Sequence, residues 1–138
     1  MIDWSRIDTV ILDMDGTVLD LHFDNRFWMQ HLPAVYADRH GLPREQVLSE
    51  LRTQVSAHQG SLNWYCTDFW SEKVGFDVAA LKPDLKHLIR ERADAFSFLA
   101  AVKASGRALW LATNAHRASL EIKLAEIAFG HYFDVMVS

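Results

Sequence analysis

The run Thr9 to Leu12 (TVIL) is apolar and β-branched, and it is cut off at once by Asp13-Met14-Asp15-Gly16-Thr17. Unbroken apolar character over so few residues predicts a strand buried on both faces, as in a parallel sheet. Gly16 breaks the pattern directly afterwards. The chain must therefore bury a short strand whose end carries two carboxylates, and later segments must supply its neighbours.

Those neighbours come late. From about Asp20 to Arg92 the pattern is helical and holds no convincing strand. Asp24 or Asn25 can cap a helix through Phe27, Trp28, Leu32 and Val35, with Pro33 expected to kink or end it. Gly41-Leu42-Pro43 reads as a turn, with Pro43 suited to a first helical position. Val47, Leu48, Leu51 and Val55 make one apolar stripe. Leu62, Tyr65, Cys66 and Phe69 make another, between Ser61 as candidate cap and Gly75. Leu81, Leu85, Leu88 and Ile89 suggest a further helix. After Asp94 the pattern changes. Ala95, Phe98, Leu99 and Val102 share a helical face ahead of Gly106. Arg107 to Ala112 reads as a second strand, Leu120, Leu124 and Ile127 line a helix, and Tyr132 to Val137 reads as a third strand.

Alternating strands and helices imply parallel strands joined by right-handed crossovers. The expected fold is α/β. A Rossmann-like parallel sheet of about three strands is built from 1–19 and 93–138, and an all-helical cap is inserted at 20–92. The stretch between the first two strands is far too long to be a loop.

Composition narrows the class. A chain of 138 residues, 50% hydrophobic and 23% charged, is one globular domain with or without an insertion, not a disordered chain. A net charge of −4 offers no electrostatic grip on a nucleic acid polymer or an anionic membrane. Cys66, the single cysteine, excludes a disulfide framework and a cysteine-built zinc site. No apolar run is long enough to span a bilayer. Met1 to Arg6 lack a hydrophobic signal core, so the expected address is cytoplasmic.

Asp13 and Asp15 lie just past the first strand, and ligands of parallel sheets collect at the carboxyl ends of strands. Residues two apart can face the same side, and Gly16 lets the backbone turn tightly. Two acids so close repel unless a cation or proton intervenes. That suits Mg²⁺, a hard cation that accepts carboxylate and phosphate oxygens. Past the second strand, Thr113-Asn114-Ala115 leads into a helix. A hydroxyl with fresh helix N–H groups forms an anion site, although Asn114 taken alone serves as well as a helix cap. The seven histidines lack metal-ligand spacing, which argues against zinc. His116 reads as exposed, Cys66 as buried and inert, and Lys123 as a solvated mid-helix position.

LDMDGTVLD at 12–20 resembles motif I of the haloacid dehalogenase-like hydrolases, and LATNA at 111–115 resembles their motif II. The helical insert resembles their C1-type cap. More narrowly, LDMDGTVLDLHFDNRFW, LNWYCTDFWSE, and KASG with TNAH are similar to bacterial GMP/IMP nucleotidases of that superfamily. The resemblance implies a magnesium-dependent phosphomonoester hydrolase. Asp13 would be the nucleophile that forms an aspartyl-phosphate. Asp15 would be general acid and then base. Mg²⁺ would rest on the Asp13 carboxylate and the Asp15 backbone carbonyl, and Thr113 and Asn114 would hold phosphate oxygens. The substrate implied is a purine nucleoside 5′-monophosphate. The alternatives are a phosphatase or phosphomutase acting on phosphoglycolate or a sugar phosphate, and an inactive remnant that only binds phosphorylated ligands. Caps of this kind close over the site and supply the substrate pocket. Asn25, Asn63 and Trp64 are the candidate substrate contacts. Phe23, Asp24, Phe27, Trp28 and Tyr65 are further candidates, of which Phe27, Trp28 and Tyr65 also fit core stripes.

The family pattern continues to a lysine and then to an acidic pair after a fourth strand. This chain stops at Ser138, before either, and the expectation is either a fragment or a truncated product with little activity. With no fourth strand beside it, the first strand would present an apolar edge prone to self-association.

Overall fold

The computed structural model describes residues 2–138. Met1, the start of the stretch read above for a signal core, lies outside them. In chain order the main elements are β1 (Thr9–Leu12), α1 (His22–Arg26), α2 (Leu32–His40), α3 (Arg44–Ala57), α4 (Thr67–Val74), α5 (Ala95–Ala104), β2 (Ala108–Ala112), α6 (Arg117–Glu126) and β3 (Val135–Val137). The strands form one parallel sheet in the order β1-β2-β3, an α/β fold as expected. The third strand is shorter than its apolar run, because Gly130–Tyr132 closes into a 3-10 turn first.

Each strand is added on the same side of the one before, so both right-handed crossovers fall on one face of the sheet. On that face Leu109 and Leu111 are fully buried with Met14, Leu99, Val102, Leu120 and Phe129. The opposite face carries the row Ile11, Trp110 and Val135, which is 58%, 39% and 39% exposed. The expectation of a first strand buried on both faces is therefore corrected. β1 alternates exposed and half-buried residues because it is an edge strand covered on one face only. Within α5, Phe96 rather than Phe98 joins the core, and Phe98 stays 40% exposed.

Between β1 and α5 the chain builds a second apolar cluster around Phe27, Leu32, Val47, Leu51, Val55, Trp70 and Val78. Its irregularities matter for the site. The predicted first helix forms as α1, then a wide π-turn over Phe27–His31, then α2. Pro33 sits in the first turn of α2, where its missing N–H costs little, so the helical path continues instead of ending. The Leu62–Phe69 stripe is not one helix. Leu62–Trp64 is a 3-10 turn, and α4 starts only at Thr67. Cys66 caps α4, its Sγ accepting the Phe69 N–H at 3.5 Å, and it is half-buried rather than a core residue. Leu81 to Ile89 is not an α-helix either. Ala79–Leu88 runs as a 3-10 helix with Pro83 inside it. Three residues per turn put Lys82, Leu85 and Leu88 on one face.

The segments entering and leaving this helical half are paired with each other. The Asp20 N–H donates to the Arg90 carbonyl and the Arg92 N–H to the Val18 carbonyl, both at 2.9 Å, around an antiparallel bridge between Leu19 and Glu91. Among the described residues no helix is long and apolar enough to cross a membrane.

Candidate functional site

The loop after β1 is organised around Met14, whose side chain is fully buried. Its carbonyl accepts the N–H groups of Val18 and Leu19, each at 2.9 Å. Gly16 takes a φ of 81°, a left-handed conformation that a side chain would strain, and its N–H donates to the Leu19 carbonyl at 2.8 Å. With Met14 directed into hydrocarbon, its neighbours Asp13 and Asp15 are turned the other way. At the end of β2, the Thr113 N–H extends the ladder to the Val137 carbonyl at 3.0 Å, and Thr113 Oγ1 accepts the Ala115 N–H at 3.1 Å. Both strand ends open on one cavity of about 280 Å³ between the sheet half and the helical half.

Asp13, Asp15, Thr113 and Asn114 line this cavity from the sheet side, and Asn25 and Trp64 line it from the helical side with Trp28 and Tyr65. Asn63 does not line it. Successive side chains of a 3-10 turn point about 120° apart, so Trp64 faces the cavity while Asn63 is exposed. The Trp64 carbonyl accepts the Trp70 indole N–H at 3.3 Å, which fixes that turn.

Three groups within this cluster of charges were missed or misread in the sequence. Lys123, read as solvated, is 1% exposed and donates to Asp15 Oδ1 at 2.6 Å and to Asp24 Oδ2 at 2.7 Å. The α6 face that looked polar is in fact turned inward, where Ser119, one turn earlier, lines the cavity. Asp24, read as a cap or substrate contact, is the second acceptor of that ammonium. Lys82, invisible to a helical periodicity of 3.6, is 2% exposed and also lines the cavity. The Pro inside its segment was the available signal, because it disfavours an α-helix there.

These charges tune each other. Burial is the main cause that raises the Asp15 carboxyl above the ordinary carboxylate value. The nearby charge of Asp24 adds to it, Lys123 opposes it, and Asp13 contributes least. Asp15 therefore holds a proton more readily than a surface aspartate, which suits a group that must donate one. Burial also lowers the Lys82 ammonium to about 8, against the pull of Asp24.

His116, expected at the surface, instead joins the two halves. Its Nδ1 accepts the Ala118 N–H at 3.4 Å, capping α6, and lies 2.8 Å from Thr67 Oγ1 on α4. With Nδ1 accepting, the Thr67 hydroxyl donates and the ring proton is on Nε2, which lies 3.4 Å from Asp68 Oδ2.

The oxygens that could hold a cation are few and hard. Asp13 uses Oδ1 to accept the Met14 N–H at 2.7 Å, and its second oxygen is uncommitted among the described residues. The Asp15 carbonyl accepts no hydrogen bond among them. No group of three or more His, Cys, Asp or Glu is arranged around a metal position among the described residues. One carboxylate and one carbonyl suit an ion that keeps several waters and shares phosphate oxygens, as Mg²⁺ does.

A family model described as haloacid dehalogenase-like hydrolase matches residues 7–138. The chain is 40% identical over 137 residues to the GMP/IMP nucleotidase YrfG of Escherichia coli K12, an alignment covering 99% of this chain and 62% of that protein. It thus spans under two-thirds of the length of the curated relatives it matches. Its fold is similar to that of a HAD phosphatase from Thermococcus onnurineus, with a TM-score of 0.79 at 21% identity over 94% of this chain and 61% of the other. It is also similar to the HAD-hydrolase YfnB from Bacillus subtilis bound to magnesium, with a TM-score of 0.54 at 16% identity over 96% of this chain and 66% of the other. Motif, sheet order and family model agree over almost the whole sequence, and the chain belongs to the haloacid dehalogenase-like hydrolases.

Proposed function

We propose that this chain carries the nucleophile, acid and phosphate cradle of a magnesium-dependent phosphomonoester hydrolase acting on purine nucleoside 5′-monophosphates, with 20–92 serving as its cap. The observation that carries the reading is that Asp13 and Asp15, from the end of β1, share one cavity with Thr113 and Asn114, from the end of β2. The GMP and IMP in the name of the Escherichia coli relative support the choice of substrate. The magnesium of the Bacillus subtilis structure supports the choice of ion.

In this mechanism Thr113 and the Asn114 N–H hold the phosphoryl oxygens with Asp13 in line. An Asp13 carboxylate oxygen forms a bond to phosphorus as the bond from phosphorus to the ribose oxygen breaks. Asp15, whose affinity for a proton is raised chiefly by its burial, gives a proton to that leaving oxygen. A water then attacks phosphorus, Asp15 takes its proton, and the bond between Asp13 and phosphorus breaks to release phosphate. Mg²⁺ on the Asp13 carboxylate and the Asp15 carbonyl, when bound, neutralises charge between the nucleophile and the phosphoryl group. Lys123 holds the Asp15 carboxyl in place and keeps Asp24 from meeting it unscreened.

The test is phosphate release from GMP with Mg²⁺, measured for the 138-residue chain and its variants. Asp15→Asn should slow release by roughly 10²- to 10⁴-fold, the usual scale for a lost general acid. Asp13→Asn should remove release and also the phosphoryl mass increment that acid quenching traps on the peptide holding Asp13. Release that survives Asp13→Asn would overturn the reading.

A further inference from the structure

We propose that Lys82 reads the leaving group of the substrate, its ammonium donating to acceptor atoms on the base, so that the site favours 6-oxopurine over 6-aminopurine nucleotides. This rests on the phosphatase reading above and goes beyond it, because it assigns base selectivity to one side chain.

Lys82 is 2% exposed, and among the described residues it makes no hydrogen bond or ion pair. Its Nζ lies 4.5 Å from the ring centre of Phe27, 5.2 Å from that of Trp28 and 5.5 Å from that of Phe23. Three ring faces stabilise a cation but give its N–H groups no oxygen or nitrogen to bond. No fully buried side-chain nitrogen among the described residues lacks a hydrogen-bond partner, so the Lys82 ammonium, which has none in the chain, reaches the open space of the cavity. Lys82 borders the same cavity as Asp13 and Thr113. Lys123 makes the contrast plain, since it is buried to the same degree and has two carboxylates within 2.7 Å.

The chemistry of the walls selects the occupant. Of the charges around it, Asp24 has the largest effect on Lys82. Asp24 is itself taken up by Lys123 and gives Lys82 no hydrogen bond, which leaves the ammonium for an acceptor on the ligand. Trp28, Trp64 and Tyr65 border the same space and suit a flat ring. An ammonium donates and never accepts. A 6-oxopurine presents O6 and N7 as adjacent acceptors, whereas a 6-aminopurine presents N7 beside an amino donor. Only the first satisfies an ammonium at both positions.

The experiment is calorimetric binding to the 138-residue chain in Mg²⁺, with inorganic phosphate, GMP, IMP, AMP and purine riboside 5′-monophosphate, which lacks O6. The wild-type chain should bind IMP and GMP about tenfold or more tighter than AMP and than the O6-lacking nucleotide, the low end of one well-formed polar base contact. Lys82→Met should bring IMP and AMP to within about threefold, and Lys82→Gln, which both donates and accepts, should do the same by strengthening AMP. An IMP-to-AMP ratio unchanged in both variants overturns the proposal. Equal wild-type binding of IMP and purine riboside 5′-monophosphate also overturns it, without relying on any variant. A wild-type chain that binds phosphate and nucleotides but shows no purine preference sinks this inference alone. One that binds neither sinks the phosphatase reading with it.

Discussion

Lys123 in the sheet half and Lys82 in the helical half are both withdrawn from water, at 1% and 2% exposed, and both lie over the Phe23 ring, yet their hydrogen-bond partners differ. Lys123 meets two carboxylates, Asp15 from the sheet half and Asp24 from the helical half, and gives two of its three N–H groups to them. The helical half meets its ammonium with aromatic faces and leaves every donor unused. One is consumed in fixing the acid at the end of β1. The other is held at a cost in stability, the usual mark of a group kept for a ligand rather than for the fold.

The contrast breaks most visibly at Lys123. Lys123→Met leaves two carboxylates facing each other without their cation. It should destabilise the chain by about 3 kcal/mol at neutral pH, near the low end for a broken buried pair because both carboxylates keep some exposure. Asp15 already binds its proton more tightly folded than unfolded. Its protonated form therefore supports the fold fully below its ordinary value of 3.8, and that support is lost as pH rises through its raised native value. Without Lys123 that window should widen upward, so the deficit should shrink in acid. Urea melts at pH 4 and pH 7 check this, and equal melts for variant and wild type at both would mean the triad carries no weight.

Lys82→Met should act in the opposite direction. A native value of about 8 against 10.5 unfolded means that folding is penalised fully below pH 8, progressively less up to 10.5, and not at all above it. The shift corresponds to about 3 kcal/mol at most, and about 1 kcal/mol of lost ring contact offsets it. The variant should gain roughly 2 kcal/mol at pH 7 by this difference, and the gain should disappear above pH 10.5. Urea melts of both chains across that range decide it. A loss of stability at pH 7 would show the ring cage to be the stronger effect and would erase the contrast with Lys123.

The smallest expected effect lies where the halves touch. Thr67→Val keeps the side-chain shape, removes the donor to His116 Nδ1, and should cost about 1 kcal/mol in a thermal melt. The helix cap from Ala118 should survive, because it needs only the Nδ1 lone pair. An NMR shift of His116 to the other tautomer would contradict that assignment.

The sheet half was the legible part. A β-branched run ending in Asp-x-Asp-Gly-Thr fixes strand, turn and carboxylates within nine residues, and local chemistry dictates each of them. The outline strand, helical insert, helix, strand, helix, strand was readable for the same reason. The second covered face expected for β1 was not, because burial depends on what else lies in space. The helical half was read with one period, 3.6, and three of its segments use another. The π-turn at Phe27–His31, the 3-10 turn at Leu62–Trp64 and the 3-10 run at Ala79–Leu88 each rotate side chains away from their α-helical places. Asn63 was therefore expected inside and Lys82 was overlooked. Lys123 was misjudged because its acceptors, Asp15 and Asp24, stand about a hundred residues earlier in the chain.

The ladder that ties Val18 to Arg92 and Asp20 to Arg90 also says something about ancestry. To the sheet, everything between those contacts behaves as a single tight reversal of direction, since the chain returns beside the point where it left. Such a junction tolerates exchange of its contents. Selection can lengthen, shorten or rebuild the helical half while β1, its two acids and the register with β2 stay as they are.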